Sequence, residues 1–231
     1  MSFRKTIRVV ATALAIAAAM IWMSSVAGSK DAEVVDALAA PTPTVILIAE
    51  GTEAAADAHG TGAYRGIEPN VTEDNIPDRA GFTYYPEVDL DRVIQDFIFV
   101  EASEAAVDYE LVLAIIIHES RCDPDAISAT NDYGLMQINR VNHEWLAEEY
   151  GLTNMLDPRQ NIIAGITILS QLSKYDDGTG AGLHKVLMAY NMGPTGAANA
   201  WEAGIYSTDY SKATLQIRDD LLGGKYGKEE G

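Results

Sequence analysis

The sequence predicts a mainly α (α+β) fold with one small β-hairpin, and three observations carry that prediction. Between residues 86 and 222 apolar side chains recur at helical spacing in one segment after another. Several of these segments open on an aspartate able to cap a helix, and a single short stretch alternates polar with apolar residues. No internal repeat is visible. The chain has 231 residues, 48% of them hydrophobic, which suffices for one domain with a real core plus appended segments.

Asp89 can cap a first helix, in which Leu90, Val93, Ile94, Phe97 and Ile98 fall on one face. Asp108 can cap a second, from Tyr109 to about Arg121, whose Ile115-Ile116-Ile117 run is too apolar all round for a surface; this helix should be central. Asp123-Pro124 stops it. From Gly134 to Asn139, polar Gln137 and Asn139 alternate with apolar Met136 and Ile138, as in a half-buried hairpin strand. A third helix runs from Asn142 to Tyr150 before Gly151. Asp157-Pro158 reads as the cap and first residue of a fourth, with Ile162, Ile163, Ile166, Leu169 and Leu172 inward. Leu183 to Tyr190 and Ala197 to Ala203 continue the helical pattern on either side of the breaker Gly193-Pro194.

These elements place the domain at residues 86–222. Upstream, Arg4, Lys5 and Arg8 precede an apolar run from Val9 to Met23 and the small residues Ser25-Val26-Ala27. Residues 1–27 therefore read as an export signal or, since the run approaches the roughly 20 residues that cross a bilayer, as an N-terminal membrane anchor. Residues 28–85, rich in Ala, Asp, Glu, Gly, Pro and Thr, read as an acidic flexible spacer, and residues 223–231 as a disordered tail.

Thirty-four acidic residues against 16 basic ones give a net charge of -18. That balance argues against nucleic acid or an anionic membrane surface as the main partner and suits a neutral or weakly charged polymer. Cys122 is the single cysteine, so an intrachain disulfide, a CxxC redox pair and a Cys-rich zinc site are all excluded. His118-Glu119 opens the HExxH pattern of zinc proteases, but position 122 is Cys122 and the motif fails; His118 is expected to pack.

Glu119 ends the apolar second helix. A carboxyl group against apolar walls has its ionised form disfavoured, tends to keep its proton, and so can act as a general acid of the kind glycoside cleavage requires. The alternative is an exposed glutamate at a helix end. The following loop contains Ser128 and Asn131, short polar side chains able to bond a carboxyl, and the amides of Gln137 and Asn139 offer donor and acceptor together, which suits the hydroxyl and acetamido groups of an amino sugar.

Glu119-Ser120, Pro124 and Ser128, the "GLMQI" run from Gly134, and "AYNMGP" from Ala189 to Pro194 resemble, in that order, the catalytic domain of lytic transglycosylases of the soluble lytic transglycosylase type. The likeness covers about Pro86 to Leu222. It implies a lysozyme-like fold with a small β-hairpin beside the catalytic helix, and cleavage of the β-1,4 bond between N-acetylmuramic acid and N-acetylglucosamine in peptidoglycan. It also implies no cofactor and no metal, glycan strands as partner, and a place in the cell envelope, membrane-anchored or secreted to the wall. Carried onto this sequence, the resemblance makes Glu119 the catalytic acid and Ser128 its hydrogen-bond partner. Gln137, Tyr190, Asn191 and Tyr210 become glycan-contacting or site-shaping residues. Glu119 would protonate the bridging oxygen while the sugar's own acetamido group supports the anomeric carbon, then take the proton of the 6-hydroxyl as the 1,6-anhydro ring closes.

The chain departs from the commonest family pattern at Asn131-Asp132-Tyr133, and "DYGLMQIN" also resembles the segment of animal-type lysozymes that holds a second carboxylate. Asp132 is thus a possible second carboxylate, which would make the protein a hydrolytic muramidase, or a turn aspartate bonded to backbone. The turn role is favoured, because "AYNMGP" belongs to the transglycosylase side and the loop from Glu119 to Asp132 is shorter than in those lysozymes. Asn139 also matches lysozymes and makes sugar contact plausible. Tyr190 and Tyr210 could instead be core aromatics, Asn191 could cap the turn at Gly193-Pro194, and Trp145 and Trp201 read as packing residues. A reading of another class is an inactive glycan-binding scaffold of an envelope assembly.

Overall fold

The computed structural model describes residues 72–228. The expected signal or anchor and most of the expected spacer lie outside the described residues, among which no helix is long and apolar enough to cross a membrane. Six helices and one two-stranded antiparallel sheet make up the domain. In chain order they are α1 (Arg92–Glu104), α2 (Tyr109–Ser120), β1 (Asp132–Tyr133), β2 (Ile138–Asn139), α3 (His143–Tyr150), α4 (Pro158–Leu172), α5 (Gly182–Glu202) and α6 (Asp209–Leu222). Short 3-10 turns stand at Arg140–Asn142 and Ser173–Tyr175.

Helix α2 is the central element that its isoleucines predict. Every residue from Leu111 to Ile116 is buried, and the helix lies between α1 and α6. Asp108 caps it, accepting the Leu111 N–H at 2.8 Å, and Asp157 caps α4 by accepting from Arg159 and Gln160. At α1 the cap is Asp91, not Asp89: Asp91 accepts the Ile94 N–H at 2.7 Å. The shift has a local cause. Val88 and Leu90 are tied into a turn that donates to Tyr85 and Val88 carbonyls, so the helix cannot begin until Arg92.

The spacer reading does not extend to residue 85. Tyr85 is buried, Phe82 packs against Phe99 and Tyr109, and Gln95, wholly buried, accepts from the Tyr85 N–H and donates to the Tyr85 carbonyl. Arg79 pairs with the buried Asp96 at 2.6 Å. Apolar and polar anchors together fix this strap to α1, although its composition alone resembles a linker. At the other end Tyr226 packs against the core and its N–H bonds the Asp220 carbonyl, so the tail reading does not hold for residues 223–228.

The α5 span holds two helices that meet at the predicted break, where Gly193, at φ 75 and ψ 157 ahead of Pro194, leaves the helical conformation. Helix α6 is not among the helices expected from sequence. It is capped by Thr208 and Ser211, which bond each other's backbone reciprocally. Trp145 and Trp201 pack edge-on against Tyr150 and Tyr175.

The hairpin is shorter than the alternation suggests. Asp132 pairs with Asn139 and Tyr133 with Ile138, while residues 134–137 form the turn, closed by the Gln137 N–H donating to the Gly134 carbonyl. Ile138 and Asn139 are both buried, which breaks the predicted inside-outside pattern. The reason is tertiary: the turn is clamped between α4 and α5.

Candidate active site

Glu119 sits in the last turn of α2, where the chain reverses through Arg121 and Cys122, both with positive φ (55 and 66). That sharp exit leaves the carboxyl at the helix end facing the hairpin. Its Oε1 accepts the Tyr210 hydroxyl at 2.6 Å. Burial pushes the Glu119 pKa up from 4.5 to about 7; the Tyr210 donor pulls it down, and the nearby Asp132 charge pushes it up further. Near neutral pH a substantial fraction of Glu119 keeps its proton.

Asp132 stands in different surroundings. It is 2% exposed, and its carboxylate accepts from Ser128 Oγ at 2.6 Å, from Thr130 Oγ1, and from Asn139 Nδ2 at 2.7 Å. Ser128 Oγ in turn receives the backbone N–H of Asp132 and Thr130. Ser128 is therefore committed to Asp132, not to Glu119 as the family pattern implies. Asn139 ties both ends of the loop, donating to the Thr130 carbonyl and accepting the Val141 N–H. A loop of short polar residues with Asn131 at φ 63 closes most easily around a central acceptor, and Asp132 is that acceptor.

The turn beyond it is held by two helices at one residue, Met136. Asn161 of α4, fully buried, accepts the Met136 N–H at 2.7 Å and donates to the carbonyls of Tyr133 and Met155. Tyr190 of α5 donates its hydroxyl to the Met136 carbonyl at 2.8 Å. Gly134, at φ 72, has no room for a Cβ against the Met155 carbonyl and Asn161, and a Cβ at Gly165 would overlap the Met136 sulfur. Gln137, at φ 49, donates from Nε2 to the Ala126 and Gly134 carbonyls, so its amide is oriented by the turn itself.

These constraints open a cleft pocket on which Glu119, Gln137, Asn139 and Tyr190 converge, together with Asn142, Ile138 and Ile168. Of the residues expected from sequence, Tyr210 reaches the pocket through Glu119, Ser128 and Asp132 form the loop behind Asn139, and Asn191 is half-buried beside Tyr190 without lining the pocket. Asn142, Asn161 and Ile168 are not among the site residues expected from sequence. Asn161 carried a signal, a polar residue next to Ile162 on the inward face of a helix, where burial demands partners. Asn142 carried none, since an asparagine before a helix reads as a cap; here it is 3% exposed and makes no side-chain cap bond.

Among the described residues no group of three His, Cys, Asp or Glu side chains is arranged to hold a metal ion. The arrangement offers one half-protonated carboxylic acid in a pocket lined by amides and a phenol. Such a site can give a proton to a leaving oxygen and take one back.

Known transglycosylases are similar to this chain in sequence. A membrane-bound lytic murein transglycosylase F of Desulfosudis oleivorans is 42% identical over 77 residues, 33% of this chain and 16% of the relative. One from Maricaulis maris is 38% identical over 95 residues, 40% of this chain and 20% of the relative. A transglycosylase of Enterobacteria phage PRD1 is 35% identical over 98 residues, 42% of this chain and 33% of the relative. The chain thus covers from about a sixth to a third of these relatives' lengths. Residues 96–213 match the family described as the transglycosylase SLT domain, and the chain belongs to that family.

Proposed function

We propose that the protein cleaves the β-1,4 bond between N-acetylmuramic acid and N-acetylglucosamine in peptidoglycan without consuming water, leaving 1,6-anhydromuramic ends. The observation that carries this reading is the contrast between a protonatable Glu119 in the pocket and an Asp132 whose carboxylate already accepts three donors. Glu119 protonates the bridging oxygen as the bond to the anomeric carbon breaks. The acetamido group of the muramic sugar supports the developing positive charge, a route that needs one protein carboxylate. Glu119, now ionised, accepts the proton of the 6-hydroxyl while that oxygen bonds the anomeric carbon. The acid is thereby regenerated. Gln137, Asn139 and Tyr190 contact the glycan or shape its pocket, with Asn142 beside them.

The relatives named as murein transglycosylases support peptidoglycan as the substrate. Their description as membrane-bound fits the reading of residues 1–27 as a signal or anchor and of the following segment as a tether, which places the catalytic domain in the envelope. The test is mass spectrometry of the sugars released from purified peptidoglycan by the full chain. Products ending in 1,6-anhydromuramic acid, lost with Glu119→Gln, are expected. Products with ordinary reducing ends would point to the muramidase reading, and binding without release to an inactive scaffold.

A further inference from the structure

His118 takes no part in the steps above, yet it touches the residue that serves Glu119. Its ring stacks on that of Tyr210, with centroids 4.8 Å apart and planes 17° from parallel. Its Nδ1 lies 2.7 Å from Thr214 Oγ1. Thr214 is wholly buried and donates its one hydroxyl hydrogen to the Tyr210 carbonyl at 2.9 Å. The hydroxyl can then only accept from the imidazole, so Nδ1 carries the hydrogen. His118 therefore grips Tyr210 twice, at the ring face directly and at the backbone through Thr214. Tyr210 is the second residue of α6, in a first turn that fewer helical bonds restrain.

We propose that His118 is a positioning residue, which holds the Tyr210 phenol against Glu119 through the ring stack and the Nδ1–H bond to Thr214. The inference rests on the reading of Glu119 as the acid only for its catalytic consequence. The groups that face Glu119 are Tyr210 from α6, Tyr190 from α5 and Asp132 from the hairpin, while His118, its neighbour in α2, meets the ring of Tyr210. Burial holds the His118 pKa down, so at neutral pH it adds no charge beside the carboxyl. Its influence must then pass through Tyr210. A phenol that donates to Glu119 favours the ionised form, and a phenol that drifts away lets the Glu119 pKa rise.

Titration of the Glu119 side-chain carboxyl by 13C NMR on the full chain tests this without depending on activity. Tyr210→Phe should raise the midpoint by about half a unit to one unit. His118→Ala should raise it in the same direction by at least half as much, His118→Phe, which keeps the stack, by less, and His118→Ala with Tyr210→Phe by no more than Tyr210→Phe alone. Glycan release by His118→Ala should show a lowered kcat with KM unchanged. A His118→Ala midpoint equal to wild type, or a shift that adds in full to that of Tyr210→Phe, overturns the proposal. Should His118→Ala fail to fold, Thr214→Val takes its place: an upward shift supports the proposal and an unmoved midpoint overturns it. Variants that show these shifts while the wild type releases no glycan would sink the enzymatic reading and leave the positioning role standing.

Discussion

Two carboxyl groups stand near one cleft, Glu119 on its wall and Asp132 in the loop behind Asn139, and their surroundings differ in kind. Glu119 ends an apolar helix, accepts one hydrogen bond from Tyr210, and has its pKa raised to about 7 by burial. Asp132 is the more buried of the two, yet it is enclosed by Ser128, Thr130 and Asn139, all donating. At Glu119 one donor does not offset desolvation, which favours the protonated form, whereas at Asp132 three donors stand in for lost water. The two carboxyls thus differ in their local supply of donors and not in burial alone.

The largest effect should come from the group with chemistry to do. Glu119→Gln is expected to lower glycan release by about 10²- to 10⁴-fold with the fold intact, measured as soluble product per unit time. Comparable release from this variant would remove Glu119 from the reaction. The clamp behind the hairpin should come next. Asn161→Leu leaves the Met136 N–H and the Tyr133 and Met155 carbonyls without their partner, and about 3 kcal/mol or more of stability should be lost in urea denaturation. An unchanged midpoint would mean that the turn is held by Tyr190 alone.

Asp132→Asn sharpens the contrast from the other side. One of the three donors must then face an amide NH2, so about 1–3 kcal/mol of stability should be lost while the released sugars keep their anhydro ends. A change of product type would put Asp132 in the chemistry. An effect of similar size concerns pH. Glu119 has a pKa of about 7 in the folded protein against 4.5 in the reference state. The unfolded chain gives up its proton first, so stability falls as pH rises from 4.5 to 7; the penalty is absent below that window and full above it. Glu119→Gln removes the penalty and should exceed wild type in stability by about 1–3 kcal/mol above the window and match it at about pH 4. A constant difference across that range would contradict a raised Glu119 pKa.

Much of this was legible in the sequence because it depends on local chemistry. Capping aspartates at 108 and 157, the all-apolar second helix and the Gly193-Pro194 break each act within a few residues, and each is found where the spacing puts it. What was not legible depends on long-range partners. Phe82 and Tyr85 sit in linker-like composition and are fixed only by α1 and α2. Tyr210 meets Glu119 because α6, whose Tyr210, Thr214, Ile217 and Leu221 do fall at helical spacing, packs along α2. Ser128 was assigned to Glu119 by family pattern, and the geometry gives it to Asp132, the carboxylate four residues away. Sequence order could not decide between two acceptors that the fold brings near the same cleft.

On the proposed route one carboxyl, Glu119, closes the sugar on itself while Asp132 only holds the loop. Digestion of purified peptidoglycan in water enriched in 18O, by wild type and by Asp132→Asn, tests it most directly. Muropeptides free of the heavy isotope at the new muramic end from both proteins are the predicted result. Incorporation of one 18O atom at that end, abolished by Asp132→Asn, would show that water is the acceptor and that both carboxylates take part.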